Sequence, residues 1–460
     1  MYFEYIYPKL IDDRIDAQFF TLEYIESLEK INKFRIETLG NISERIFDPP
    51  HTAPEFVDKS DFEMIMIENI TLNGIEGNFR AISEICHKDV FKNSHLEGNE
   101  LLVSRVGNSS GTFASVFLCY KGKNVSGNIS IIKLKNEVID KEYVFAYFNS
   151  NVGQNSIKRN IANTARKFLT INNIREFQIP IPSCEIQKYI GDKVRKAEEL
   201  REEAKRLKKE AEEIINKSLN FKQLDLFYKG IKVKFKWIST NLLTDRIDGN
   251  YYEQKYFETI NHIKRNSKKY ITLNSIIDSI YSGKKPIYEE KGAEVYFVQS
   301  GNISSNFLEI DNKEKVDLSK YSQVLFGDLL IAKDGETIGK IAINFTNETI
   351  IINEHTYCIR LKENYKYYSA YIYYLLINDY INSLFCREAT GSAQKSLNFS
   401  FAENIIIPIL EEYIIMNLYN LELRRCNNIY QSKHLIQEAK QDIEDLIEGN
   451  FDMSKVKADN

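Results

Sequence analysis

Two short stretches of this 460-residue chain carry side chains suited to gripping a polyanion. Lys158-Arg159 and Arg166-Lys167 bracket Asn160-Ile161-Ala162-Asn163, and Arg387 and Lys395 bracket Thr390-Gly391-Ser392-Ala393-Gln394. Arg, Lys, Asn, Gln and Ser are the donors that contact phosphates and base edges. The stretches correspond: Arg166 and Gln394, like Lys167 and Lys395, stand 228 residues apart (394 − 166, 395 − 167). Further cations sit in turn-rich places: Arg105 and Lys333 in two Gly-rich hairpins, and Lys284-Lys285 in another loop. A stretch from Lys229 to Lys236 alternates with Ile, Val, Phe and Trp. Taken singly, each cation reads as a solvated surface charge. The paired loops, keeping a frame while changing its side chains, read as two binding sites for two different targets.

Other chemistry is harder to find. Asp48-Pro49-Pro50-His51 resembles the D-P-P-Y loop of amino-methyltransferases, but His stands where an aromatic ring is expected. No Gly-rich cofactor turn precedes it, so it reads as a proline-rich surface loop. The Gly runs at 107–111 and 335–339 lack the Gly-Lys-Ser/Thr of a phosphate-cradling loop and read as tight turns. His51, His87, His95, His262, His355 and His434 are scattered and read as structural or surface residues. Cys86, Cys119, Cys184, Cys358, Cys386 and Cys426 form no C-x-x-C and no zinc-type spacing, as expected of isolated reduced thiols. No catalytic, cofactor-binding or metal-binding residue is expected.

The elements that position the loops occur twice. Asp13-Arg14-Ile15-Asp16 returns as Asp245-Arg246-Ile247-Asp248, an offset of 232 (245 − 13), and Phe19-Phe20 returns as Tyr251-Tyr252. Leu101-Leu102-Val103 and Ile179-Pro180-Ile181 return as Leu329-Leu330-Ile331 and Ile407-Pro408-Ile409, both at 228. Phe62 to Ile67 parallels Val295 to Val298, each followed by Asn-Ile (Asn69-Ile70, Asn302-Ile303). A period near half the chain means two copies of one module. Each copy predicts an aromatic strand, a turn, a helix (20–33; 252–265), short strands, and a second helix (near 141–150; 367–385). The class is mixed α/β, two tandem modules of roughly 180 residues. The net charge of −4 and 27% charged residues are ordinary for a globular protein, and binding fields come from local patches rather than the total. Neither a signal peptide at the N-terminus nor the ~18 apolar residues of a membrane span is expected.

After each Ile-Pro-Ile the pattern becomes helical. Ala197, Leu200, Ala204, Leu207, Ala211 and Ile214 step by three and four, as do Ile429, Ser432, Ile436, Ala439, Ile443 and Leu446. Such narrow stripes on otherwise charged helices predict partners, and the simplest partner of each is the other, antiparallel. Two ordinary amphipathic helices, each packed on its own module, are the plainer possibility. The expected organisation is module one over 1–182, a spacer helix over 183–228, module two over 229–410, a second helix over 411–449 and a tail over 450–460.

In order and duplication these features resemble the specificity (S) subunit of type I restriction-modification systems. The pieces are D-R-I-D-x-x-[FY]-[FY], the L-L-[VI]-x-[RK]-x-G-x-x-x-G hairpin, Thr390-Gly391-Ser392-Ala393-Gln394-Lys395 before Ile-Pro-Ile, and the charged helices. Glu185-Ile186-Gln187-Lys188-Tyr189-Ile190 nearly matches the family's E-Q-x-x-I. Copy two has lost that Gln and has Leu410 for the second proline, which weakens its expected helix start. The resemblance implies a non-catalytic, cytoplasmic DNA reader whose modules each bind one half of a split site. It implies double-stranded DNA, two modification subunits and a motor-nuclease subunit as partners. S-adenosylmethionine, and ATP with Mg, would be bound by those partners and not by this chain. The expected DNA-binding residues are Arg105, Lys158, Arg159, Arg166, Lys167, Lys284, Lys285, Lys333, Arg387, Ser392, Gln394 and Lys395. Two other readings stay open: a DNA methyltransferase, fused or stand-alone, which needs a cofactor motif and several hundred more residues, and a coiled-coil structural adaptor that binds no DNA.

Overall fold

The computed structural model describes residues 21–135, 139–161, 168–230, 243, 246, 248–303, 305–310, 313–391 and 395–457. The first D-R-I-D therefore lies outside the described residues, and Arg246 and Asp248 represent the second. The chain divides into two compact units, Met1–Glu202 with Ile429–Asn460, and Glu203–Asn428. The fold is mixed α/β.

Each unit holds the same sheet. In the first, Ser43–Phe47, Ile129–Leu134, Leu101–Ser104 and Phe113–Ser115 lie side by side in that order, all antiparallel. In the second the order is Ile277–Ser282, Thr356–Leu361, Leu329–Ala332 and Ile341–Ile343, again antiparallel. The hydrophobic runs behind these strands are buried on both faces: Leu101, Leu102, Val103, Leu329, Leu330 and Ile331 are all fully covered. A smaller three-stranded sheet flanks each, built on Glu63–Ile65 in one unit and Tyr288–Val298 in the other. Asn69 and Asn302 turn the chain there in the same way, each accepting from the amide three residues before it (Met66 and Gln299, both 2.9 Å).

The tight hairpin turns need glycine. Gly111 and Gly339 have φ of +91° and +84°. A Cβ on Gly111 would stand 2.4 Å from Ile157, and one on Gly339 would stand 2.5 Å from the Cys386 sulfur. An amide closes each turn: Gln154 Nε2 donates to Gly111 O (3.0 Å), and Asn382 Nδ2 to Gly339 O (2.8 Å), again at an offset of 228 (382 − 154). The helix expected near 141–150 is Lys141–Asn149, followed by an unexpected Asn151–Asn160, and the one expected at 367–385 is split into Ser369–Ile377 and Asp379–Arg387. Ser150 and Asn378 break them by capping the following turn, accepting from the amides of Gly153 and Tyr380.

Cys184–Ser218 is one helix and Glu412–Glu448 another. The first is shorter than the expected 183–228. Leu219-Asn220 interrupts it, Asn220 at φ +51°, and Phe221–Gly230 forms a separate helix that buries Phe221 and Leu224. Of the expected seam, Ala197, Leu200, Ala204, Leu207 and Ala211 are buried, as are Ile436, Ala439, Ile443 and Leu446. Ile214 is only half-buried. Ile215 takes the core position (1% exposed), so the last step is four residues instead of three. In the first unit Lys193 pairs with Glu438 (3.2 Å) and Asp442 (2.5 Å), and Arg201 Nε donates to Ser432 Oγ (3.3 Å). The two segments run in opposite directions there. In the second unit Arg424 pairs with Glu203 (2.6 Å). In the tail, Ser454–Lys457 is helical and Val456 is buried in the first core.

Lys440 is the unusual member of the C-terminal helix. It is 9% exposed, and burial pulls its pKa down to about 8; nearby Arg201 pushes it the same way and Glu76 opposes. A free Lys titrates near 10.4, so between about 8 and 10.4 the unfolded chain binds this proton and the folded chain does not. Stability from this group therefore rises with pH across that window. Lys440→Met should stabilise the protein at pH 7 by on the order of 3 kcal/mol, the size of the pKa difference. The advantage should fade towards pH 10. Urea unfolding of both proteins at pH 7, 8.5 and 10 measures this, and an advantage independent of pH would show that the ammonium is not the cause.

Candidate nucleic-acid interface

The candidate cations separate into exposed and buried groups. Lys158, Lys284, Lys285 and Lys395 are exposed, and Arg159 and Lys333 are half-buried. Arg166, Lys167, Ser392 and Gln394 lie outside the described residues. Each candidate loop is reached by a helix end: Lys158 and Arg159 fall in the last turn of Asn151–Asn160, and Arg387 ends Asp379–Arg387.

Arg105, expected to contact DNA, is buried, with 5% of its surface exposed. Its guanidinium pairs with Asp48, Nε donates to Leu169 O (3.0 Å), and the Phe168 ring lies 4.7 Å away. Asp48 also accepts from Ser130 Oγ (2.5 Å). The Asp-Pro-Pro-His stretch is thus not merely a surface loop. Its Asp anchors the hairpin cation, while His51 Nε2 stands 3.5 Å from the same guanidinium. This arrangement secures the point where the chain emerges from 162–167, because Leu169 N donates to Arg105 O (2.9 Å). Sequence reasoning missed the pairing, since nothing in the spacing of Asp48 and Arg105 links them.

The second unit repeats the arrangement with other side chains. Leu397 N donates to Lys333 O at 2.9 Å, and bridges join Val106 to Phe168 and Asp334 to Ser396, all at an offset of 228 (397 − 169, 333 − 105, 334 − 106, 396 − 168). Here the Lys333 ammonium lies 5.0 Å from the Tyr357 ring, and Asp334 turns to His355 Nδ1 (2.8 Å). Tyr357 in turn donates to Leu397 O (2.8 Å).

A cavity of about 580 Å³ opens beside this loop, lined by Arg246, Tyr251, Tyr256, Arg387 and Lys395 among others. Arg387 is also mostly buried. It pairs with Glu388 (3.2 Å) and lies over the Tyr251 ring (4.3 Å). Among the described residues one trio has metal-ligand proximity: Cys119, Glu198 and Glu202, whose ligand atoms lie within 4.8 Å of one another. Glu198 is already bound by the Tyr120 hydroxyl (2.8 Å) and by Arg201 (3.3 Å), so the trio reads as part of a helix-docking network. Among the same residues no helix is long and apolar enough to cross a membrane.

Residues 29–213 match the family model described as type I restriction modification DNA specificity domain. No curated protein sequence matches the chain at a significant level. Among solved structures, the type I restriction-modification S subunit from M. genitalium is similar: 13% identity, 91% of this chain and 96% of that one covered, TM-score 0.45. The HsdS subunit from Thermoanaerobacter tengcongensis shares 14% identity over 91% of this chain and 97% of its own, TM-score 0.31. A chain solved in work on complex assembly and conformational transition of the type I R-M system shares 14% identity over 91% and 98%, TM-score 0.29.

Removing one member of a buried ion pair strands the other, at a cost of about 3–5 kcal/mol. Asp48→Ala should destabilise the protein by that amount, whereas Lys158→Ala, at an exposed site, should stay within about 0.5 kcal/mol. Chemical denaturation of both variants decides it. Equal, small effects would mean that Arg105 is solvated and belongs with the surface cations after all.

Proposed function

We propose, on the match of residues 29–213 to the type I restriction modification DNA specificity domain, that the chain belongs to that family and reads a split, asymmetric DNA site. In this reading each module recognises one half. The bound chain directs adenine methylation and restriction by partner subunits, and itself performs no chemistry. One observation carries the reading: two modules with the same strand order and the same hydrogen bonds at an offset of 228, presenting different side chains in the equivalent loops. A frame kept while its contact residues change is what two different half-sites require.

The rest of the reading follows from the same premise. The long helices form an antiparallel coiled coil along the Ala/Leu/Ile seam and set the distance between the half-sites. Two modification subunits dock on them and carry S-adenosylmethionine, and a motor-nuclease subunit with ATP and Mg joins for restriction. The complex works in the cytoplasm. Lys158, Arg159, Arg166, Lys167, Lys284, Lys285, Lys333, Ser392, Gln394 and Lys395 remain the proposed DNA contacts. Arg105 and Arg387 leave that set: Arg105 holds the hairpin in place, and Arg387 is paired with Glu388 at the end of its helix.

Exchanging residues 1–182 for the same region of a homologue should change one half of the methylated site and leave the other. Sequencing of methylated adenines in cells carrying the complete system reads this directly; simultaneous change of both halves would refute separate reading. Replacing Lys395 by Ala should weaken binding across all sequences. Each lost phosphate contact should lower the slope of log affinity against log salt by about 0.9, and an unchanged slope would remove Lys395 from the interface.

A further inference from the structure

The D-R-I-D-x-x-[FY]-[FY] motif is the chain's clearest repeat, and its work in the second module can be read from Arg246. The helix Asp379–Arg387 ends at the entrance to the Thr390–Lys395 loop, and the carbonyls at a helix end lack partners within the helix. Arg246 supplies them. Its Nη1 donates to Arg387 O and Glu388 O (both 3.3 Å), and its Nη2 to Ala389 O (3.4 Å). A cation at a helix C-terminus is also favoured by the helix dipole. Nε donates to Asp248 (2.8 Å), and the Tyr252 hydroxyl donates to Arg246 O (2.6 Å). The Tyr251 ring lies 4.6 Å from the Arg246 guanidinium and 4.3 Å from that of Arg387. Asp248 caps the turn that carries Tyr251 (3.1 Å to its amide). Arg, Asp and both aromatic residues of the motif thus converge on one helix end.

That end is continuous with the base of the loop. Thr390 N donates to Ser396 O (2.9 Å) and Ser396 N to Thr390 O (2.8 Å), while Gly335 N donates to Lys395 O (3.1 Å). The loop is therefore held on its entering side by Arg246 and on its leaving side by the Gly-rich hairpin. We infer that Arg246 and Tyr251 are positioning residues for recognition: they do not touch DNA, and they fix the place from which Lys395 meets it. The inference rests on the DNA-reading function proposed above. A planar guanidinium lays a fixed fork of donors along three carbonyls while its face stacks on a ring; a compact ammonium does not do both at once. The second Arg of the sandwich, Arg387, is neutralised by Glu388, which Asn404 holds in turn (2.9 Å). The cluster is thus a closed joint rather than an open anion site.

Two readouts on the full chain with its partner subunits test this. The first is hydrogen exchange at the Thr390 and Ser396 amides. Arg246→Ala should speed it roughly tenfold or more, as for a local opening, while the Leu330 and Ile359 amides of the sheet stay protected. Arg246→Lys should behave like Arg246→Ala, and Tyr251→Ala likewise. The second is the methylated site: the Arg246 variants should relax one half-site and leave the other unchanged. Unaltered exchange at Thr390 and Ser396 overturns the inference whatever the DNA result. Faster exchange with both half-sites intact overturns the link to recognition and leaves the proposed function standing. A wild-type complex that methylates no split site overturns the proposed function, and the exchange data then judge the joint alone. Should Arg246→Ala fail to fold, the Arg246→Lys and Tyr251→Ala proteins carry the same two measurements.

Discussion

Each module is set by one buried phenol. Tyr143 donates to Pro180 O at 2.8 Å, and Tyr371 to Pro408 O at 2.5 Å, the same pair 228 residues on (371 − 143, 408 − 180). Both hydroxyls are fully buried, and burial pushes both pKa values well above the ordinary phenol range, so they remain donors. The accepting carbonyl ends a short strand, Gln178–Pro180 or Ile406–Pro408, that pairs with one neighbour among the described residues. A buried carbonyl without a partner costs about 1–3 kcal/mol, so the phenol stabilises the strand end as placed. A few residues later the long helix begins. The phenol thereby couples the core helix of the module to the point from which the long helix departs.

Around that fixed point the side chains have been free to change. In the first module Gln187 ties the helix start down, donating to Pro182 O (2.9 Å) and accepting from Asp140 N (3.0 Å). The equivalent position in the second is Ile415 (415 − 187 = 228), which is buried. The loss of Gln was expected to weaken that helix start. Instead the helix runs 37 residues, and an apolar contact takes over from two hydrogen bonds. The charge pairs follow the same logic. A buried guanidinium is tolerable only with a carboxylate beside it, and Arg105, Arg387 and Arg425 have Asp48, Glu388 and Glu422. Those cations are committed to architecture, which leaves the exposed lysines at the loops as the groups with charge to offer a ligand.

The parts legible in the sequence were those whose physics is local or repeated. Duplication and the Ala/Leu stripe leave periodic traces, and the structure carries both; the order of strands in the sheets leaves none and came only with the fold. Ile214 shows the limit of periodicity: a three-four count cannot see that the chain turns at Leu219-Asn220, and the core shifts by one residue to Ile215. Arg105 shows a second limit. A cation in a Gly-rich hairpin looks exposed by composition, and only the fold brings Asp48, 57 residues earlier, against it. The helix-end role of Arg246 was hidden for the same reason, since its three carbonyl partners lie 141 to 143 residues away. Arg166, Lys167, Ser392 and Gln394 rest on sequence alone.

Where the copies differ in length is itself informative. Glu76 and Glu309 still correspond at 233 (309 − 76), each amide donating to its Asn (2.9 and 2.8 Å). By Leu101 and Leu329 the offset is 228 (329 − 101), so the first module has five more residues in between. They fall outside the four-stranded sheet. In the first module this stretch makes the helical turns Cys86–Val90 and Lys92–Ser94, where His87 stacks between Phe62 and His95 (4.1 Å to each). Both modules add an edge strand to the flanking sheet from this stretch, but Arg80–Ala81 in the first is two residues long and Lys313–Val316 in the second is four. Slippage by a single residue inside the central sheet would turn every side chain to the opposite face, and there the pairing is kept: Ile132 lies between Leu101 and Ile46 as Ile359 lies between Leu329 and Ile280. The flanking sheet meets no such constraint along its outer edge. A module can therefore remodel that edge while the phenol, the hairpin and the loop base stay where they are, and that freedom is what lets one frame serve two different surfaces.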